Sequence, residues 1–442
     1  MRVIGIVLLA ATAVFAAKNN NPVTFYKDVL PVLQKNCQGC HRPGEAAPMS
    51  FLTYESTRPW AKAMREAVAS RRMPPWFADP AHGKWANDRS LSEADVQTIV
   101  SWAEAGAPAG NAKQAPPSRN FVEGWNIGNP DLIVEMKKDH QVQSSGTIEY
   151  TYFVIPLNLT EDKWVQMAEI RPGNRPVVHH VIAFIRQPGS KWMRDATPYE
   201  PYIPKKRPAP EQINSGSTQT RQQEENSFGG EWLTGYAPGT VPDVLKDGQG
   251  RLIKAGSDIV LQMHYTANGK EVTDRTKVGL IFAKEPPKER VMTLAATTNK
   301  FVIPAGAPNH EVESAITLHS DSKLVAMLPH MHLRGKDFEY RVIYPTGEKQ
   351  TLLSVPHYSF SWQLSYFPVE PIVLPKGTRI ECTAHYDNSA NNPHNPDSRV
   401  DVRYGDQSWE EMMFGFFDVA IDVKMNPADL MRAPKPARSG GD

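Results

Sequence analysis

The sequence predicts a multidomain protein: a small all-α domain near the N-terminus, followed by two all-β antiparallel domains of jelly-roll or sandwich type. Three observations lead there. A chain of 442 residues is longer than one ordinary hydrophobic core organises. Its 38 prolines and 29 glycines fit a turn-rich, β-dominated body. Beyond residue 118 the texture changes to short alternating runs, such as Thr151-Tyr152-Phe153-Val154-Ile155 and Asp258-Ile259-Val260-Leu261-Gln262-Met263-His264-Tyr265, separated by Gly, Pro and Asn turns. The formal charge of +1 gives no reason to expect a nucleic-acid partner. No repeat of solenoid or propeller spacing is present.

In chain order, residues 1–17 place Arg2 before a short apolar run and end in the small pair Ala16-Ala17. This reads as a secretory signal peptide, so a periplasmic or secreted location is expected. No other stretch reaches the roughly 20 apolar residues that a membrane helix needs, and no membrane span is expected.

Residues 18–110 form the predicted helical domain, and its chemistry is in Cys37-Gln38-Gly39-Cys40-His41. C-x-x-C-H is the pattern of covalent c-type haem attachment: each thiol adds to one vinyl group and the adjacent His binds iron. A redox dithiol or half a zinc site is the bland alternative, and the zinc reading lacks a second ligand pair nearby. For the second axial ligand, Met73 in Arg72-Met73-Pro74-Pro75-Trp76 competes with Met49 and with His82. Helical stretches are expected around Trp60 to Ser70 and from a start within Ser90-Leu91-Ser92-Glu93-Ala94-Asp95-Val96 to about Ala105, stopped by Gly106 and Pro108. This order of haem site, helix, Met-Pro loop and last helix resembles the small class I cytochromes c, which favours Met73.

The small-residue segment from Ala109 to Ser118 reads as an interdomain linker, set at residues 111–120. The β domains are assigned to 121–290 and 291–430, with a flexible tail at 431–442. A polar stretch from about Arg186 to Asn226 reads as a long surface loop.

The chemistry of the β region lies in its histidines. His179-His180 are adjacent, His264 sits in an alternating run, and His330-Met331-His332 puts two imidazoles on one strand face. Imidazole nitrogen suits copper, zinc, iron or nickel. A lone strand His is usually structural, and neighbours such as His179-His180 point to opposite faces unless the strand bends.

Read in order, Val178-His179-His180-Val181-Ile182-Ala183-Phe184, Leu261-Gln262-Met263-His264-Tyr265, His330-Met331-His332 and Glu410-Glu411-Met412 resemble the copper type II, ascorbate-dependent monooxygenases, the family of the peptidylglycine and dopamine β-monooxygenases. The resemblance covers about residues 120 to 425. It implies two coppers across a solvent-accessible cleft: an electron-transfer copper on His179, His180 and His264, and a dioxygen-binding copper on His330, His332 and Met412. Met413 leaves that last register open by one residue, and core packing is the alternative for both methionines. The resemblance implies hydroxylation of a C–H bond in a small organic substrate. A fused haem c would supply the electrons, with ascorbate or a redox protein as an external donor.

The departures bear on substrate. Leu328 stands where the peptide-amidating members have an Arg for the substrate carboxylate, and Phe416 where they have a Tyr. A peptidylglycine substrate is therefore not expected. The family's disulfides are missing, and Cys382 is expected to be a buried free thiol. His357, His385 and His394 read as structural. Two further readings stay open: an electron-transfer cytochrome carrying a non-catalytic copper-binding or docking β module, and a β sandwich without metal.

Overall fold

The computed structural model describes residues 22–45, 47–204 and 230–432. The expected signal peptide, most of the 186–226 loop and most of the C-terminal tail lie outside them. No helix among the described residues is long and apolar enough to cross a membrane.

The N-terminal module is helical. A π-helical turn at Phe25–Val29 runs into α1 (Leu30–Asn36), followed by α2 (Tyr54–Thr57), α3 (Ala61–Ala69) and α4 (Glu93–Glu104). Ser92 caps α4 by accepting a hydrogen bond from the Asp95 N–H at 3.1 Å, which satisfies one otherwise unpaired amide of the first turn. Gly106, at φ +82°, turns the chain out of the helix. Phe25, Leu33, Ile99 and Trp102 are fully buried in its core. The expected linker is pinned back onto this module. Phe25 donates to the Pro108 carbonyl at 3.0 Å, and Gln34 and Arg119 exchange hydrogen bonds with Pro117 and Gln34 carbonyls at 2.9 and 2.7 Å.

The remainder is β. Its strands are β1 (Leu132–Glu135), β2 (His140–Val142), β3 (Thr151–Pro156), β4 (Lys163–Arg171), β5 (Val178–Arg186), β6 (Glu231–Tyr236) and β7 (Asp243–Val244). β8 (Gln249–Ile253), β9 (Asp258–Tyr265), β10 (Val272–Asp274), β11 (Lys277–Phe282), β12 (Glu289–Thr297), β13 (Val302–Ile303) and β14 (His310–Thr317) follow. The last are β15 (Ser322–His330), β16 (Gly335–Ile343), β17 (Lys349–Val355), β18 (Ile372–Leu374), β19 (Arg379–Tyr386), β20 (Val402–Arg403) and β21 (Phe414–Asp422), before a closing turn α5 (Ala428–Met431).

Two sandwiches result, and they share a sheet. A nine-stranded sheet runs β1-β11-β4-β8-β12-β21-β15-β18, with β7 beside β4. A four-stranded sheet, β3-β9-β5-β6, covers its first half, and a second, β14-β19-β16-β17, covers the other. Alternation decides the faces. Val181, Ala183 and Ile185 of β5 enter the first core, and Phe417, Val419 and Ile421 of β21 enter the second. The joint is the parallel pairing of β8 with β12, the one departure from antiparallel order among the paired strands described.

The opposite faces of β5 and β21 look toward each other. His180 and Phe184 come from the first, Phe414, Phe416 and Asp418 from the second, and all line a cleft of about 1280 Å³. Trp232 of β6 meets Phe416 of β21 across it, ring centroids 5.3 Å apart.

The segment after α3 leaves the helical module. Trp76 and Trp85 pack on Tyr366 at 5.0 and 5.6 Å, Ala78 and Trp85 belong to the second β core, and the Asp79 and Ala86 amides donate to the Ser354 and Phe367 carbonyls at 2.8 Å. Residues 76–87 thus form a strap across the C-terminal sandwich.

Candidate metal centres

The first centre is made by an irregularity in pairing. β5 and β9 match Val178 with Tyr265 but His180 with His264, so His179 is an extra residue in a β-bulge. The bulge removes the opposite-face problem that adjacent residues otherwise have. The His179 and His180 Nδ1 atoms lie 3.1 Å apart, and those of His180 and His264 3.4 Å. The ligand atoms of all three fall within 4.8 Å of one another. Nitrogens bound to one metal at about 2.0–2.1 Å stand roughly 3.3 Å apart in a tetrahedral set, so the three fit a single ion. Tyr150 stacks on His264 at 4.6 Å, and the Ser408 hydroxyl lies 3.5 Å from its Nε2.

The second centre is at the end of β15. His330 closes the strand and His332 lies in the turn that follows, the two rings 5.3 Å apart and nearly perpendicular. The His330 Nδ1 pairs with Gln363 Oε1 at 2.9 Å, and the His332 Nδ1 with the Glu410 carbonyl at 3.1 Å. Both Nδ1 atoms are therefore donors, and both Nε2 atoms keep their lone pairs. The buried His332 Nε2 has no hydrogen-bond partner. Such an orphan is costly unless something accepts its lone pair, which is what a metal would do.

Burial pushes His179 and His330 down to about 4 and His264 down to about 3, while His180 and His332 fall well below the usual imidazole range. Neighbouring imidazoles add to the effect on His179, His180 and His264. All five are neutral at pH 7 and available as ligands.

Alternation separates the two methionines. Met413 is fully buried in the second core, where the Ser314 hydroxyl donates to its sulfur at 3.1 Å. Met412 lines the cleft with His330 and packs beside Phe414 and Phe416. Glu411, fully buried, accepts from the His332 and Arg334 amides at 2.8 and 2.7 Å and ties the His332 turn to the Met412 segment. Burial pushes its carboxyl up to about 8. Leu328 and Phe416 sit opposite each other on β15 and β21, both facing the cleft. Cys382 is free and fully buried.

Two residues that shape the site gave no sequence signal. Phe360 stacks on His179 at 5.0 Å and also meets His332 at 5.8 Å and His264 at 6.2 Å. Gln363 orients His330 and donates to the Phe360 carbonyl at 2.8 Å. Both lie in an irregular segment without periodicity.

In the helical module the His41 and Cys40 amides donate to the Cys37 carbonyl at 2.9 and 3.1 Å, a turn that gathers both thiols and His41. His41 stacks on Phe51 at 4.3 Å, and burial lowers its basicity. The thiols are free and in the spacing that haem addition needs, so the donor set fits the group. Met49 packs with Cys37 on the helical core, Met73 is half-buried where α3 ends, and His82 lies in the strap. Arg175, just ahead of β5, forms a salt bridge with Glu45, and Arg89 donates to the Gly239 carbonyl at 2.5 Å.

No family model matches the chain, and no curated protein matches it. Two solved structures of infectious bursal disease virus, of the Gt and Gx strains, align at 10% identity each. They cover 69% and 68% of this chain and 78% and 74% of theirs, with TM-scores of 0.15 and 0.18, too low to carry any argument about it.

Proposed function

We propose that this chain is an exported copper-dependent monooxygenase that hydroxylates a C–H bond of a small organic substrate with dioxygen, drawing electrons through a covalently attached haem c. The observation that carries this reading is the pairing of two unlike donor sets in one protein. Three imidazole nitrogens converge in one sandwich, with His180 lining the cleft, and two imidazoles with free Nε2 atoms accompany a cleft-facing Met412 on the other.

Copper held by these residues supplies one-electron transfer and dioxygen activation. His179, His180 and His264 provide an all-nitrogen set. His330, His332 and Met412 provide a softer one, whose thioether favours Cu(I), the state that meets dioxygen. Gln363 and the Glu410 carbonyl hold the Nδ1 protons of His330 and His332 and so fix the tautomers. Leu328, Phe414, Phe416 and Trp232 line the cleft with apolar surface that excludes water and suits a substrate body without a carboxylate at that point. Cys37 and Cys40 would hold the haem covalently, and His41 and Met73 would supply donors to its iron. The Arg175–Glu45 pair fixes the haem segment beside the strand that carries His179, so ascorbate becomes an optional external donor.

The test is haem and copper per chain on periplasmically expressed protein, by pyridine haemochrome spectra and metal analysis of one sample. One haem and two coppers are expected, with His179→Ala and His332→Ala each losing one copper. A sample with haem and no copper removes the proposed chemistry.

A further inference from the structure

We infer that Asp274 is a positioning residue for the first centre: its carboxylate fixes the register in which β5 and β9 bring His179, His180 and His264 together. The inference rests on the metal-binding reading above.

The three imidazoles converge because His179 is an extra residue between the pairs Val178–Tyr265 and His180–His264. On one side of that bulge the ladder is long, running from His180–His264 to Arg186–Asp258. On the other side Val178–Tyr265 is its last pair. A one-residue slip at so short an end would carry side chains to the opposite face and dissolve the cluster.

Asp274, the last residue of β10 and 1% exposed, closes this end. Its Oδ1 accepts from the Asn174 amide, in the turn that enters β5, at 2.9 Å. Its Oδ2 accepts from two hydroxyls: that of Tyr265, next to His264 on β9, at 3.0 Å, and that of Thr276 at 2.7 Å. One carboxylate thus holds the entry of β5 and the exit of β9. Neighbouring contacts follow the same seam. Asn174 Nδ2 donates to the Thr273 carbonyl at 3.1 Å, and the Thr266 amide donates to the Val177 carbonyl at 2.8 Å. A Cβ at Gly173 would meet the Arg275 backbone nitrogen at 2.7 Å, so the two segments touch without a side chain between them.

The chemistry of the post calls for acceptors at both oxygens. A buried carboxylate is costly unless its lone pairs are engaged, and three donors engage them here. An asparagine would turn its NH2 either toward the Asn174 amide, donor against donor, or toward the two hydroxyls, which would lose their acceptor.

The experiment is a chelator-competition copper titration of the full chain, with electron paramagnetic resonance of the copper(II) form, on the parent, Asp274→Asn and Tyr265→Phe. The binding step that His179→Ala lacks reports the first centre. Asp274→Asn is expected to weaken that step about 10-fold and to change its copper(II) hyperfine splitting, with the other step and its signal unchanged. Tyr265→Phe keeps the ring and removes one donor, so a smaller loss at the same step is expected, and this variant decides the matter should Asp274→Asn fail to fold. Copper steps and spectra equal to the parent's in the folded variants, with only a lower melting temperature, would make Asp274 a plain stabilising residue and overturn the inference. Equal weakening of both steps would overturn it too. Parent protein that binds no copper would overturn the metal-binding reading itself, and the inference with it.

Discussion

Gln363→Leu isolates the orientation of a single ligand. Gln363 is 7% exposed, its Oε1 accepts from His330 Nδ1 at 2.9 Å, and its Nε2 donates to the Phe360 carbonyl at 2.8 Å and Tyr358 hydroxyl at 3.1 Å. Those donations fix which end of the amide faces His330. Leucine keeps the volume and removes the acceptor, so the imidazole loses the bond that places its proton on Nδ1 and its lone pair on Nε2. Loss of such an outer partner typically weakens metal affinity about 10–100-fold, which corresponds to roughly 1.4–2.7 kcal/mol. A chelator-competition titration of copper, resolving both binding steps, should show one step weakened by that factor and the other unchanged. Gln363→Glu, which keeps an acceptor, should bind close to the parent. A folded Gln363→Leu protein with both steps indistinguishable from the parent would refute the assignment of His330 Nε2 as a ligand atom.

Three further outcomes are expected. Arg251→Met strands Asp418 inside the joint between sandwiches and should cost about 3 kcal/mol or more in denaturant unfolding; an unchanged midpoint would mean the pair contributes nothing. At Gly415 an added Cβ would collide with the Cys382 sulfur. Gly415→Ala should therefore destabilise by about 1–3 kcal/mol, and Cys382→Ala in the same chain should recover most of the loss in thermal melts. Burial pushes the half-buried Asp243 up to about 6. Its neutral form is favoured in the fold, so its contribution is complete below its unfolded value near pH 4 and is lost as pH rises through 6. Asp243→Asn should hold its stability across that window while the parent declines by up to about 3 kcal/mol; parallel pH profiles would count against it.

The β-rich body and α4 were legible because each depends on local periodicity or capping chemistry, whereas Leu328 and Phe416 were singled out by the resemblance alone. The alternation that carries Phe417, Val419 and Ile421 inward also carries Met413 inward, so the pattern favouring Met412 was present in the sequence. The His179 bulge was not legible, because a bulge is a property of register against β9 and no single strand contains it. Phe360 and Gln363 lie in an aperiodic stretch, where residue type says nothing about which rings will be near. The segment at Trp76 read as part of a haem loop because its prolines are local signals, whereas its partner Tyr366 is remote in sequence. The contacts of the 111–120 segment were not legible for a similar reason: Gln34, which donates to the Pro117 carbonyl and accepts from Arg119, is remote in sequence.

The strap at 76–87 also sets an order of assembly. Ala78 and Trp85 leave the ribosome early, yet the pocket they complete needs β12, β14 to β17, β19 and β21, hundreds of residues later. Until those strands exist the two indoles have no apolar surface to join, and contacts that span so much chain form late and slowly. On the proposed function, haem addition to Cys37 and Cys40 would need only the early helical segment, which is complete before the C-terminal sandwich can capture the strap. A fragment starting after residue 110 would keep every candidate copper ligand but would expose Tyr366, 1% exposed in the whole chain, as a sticky face. The helical module is therefore a folding component of the β body as well as its neighbour.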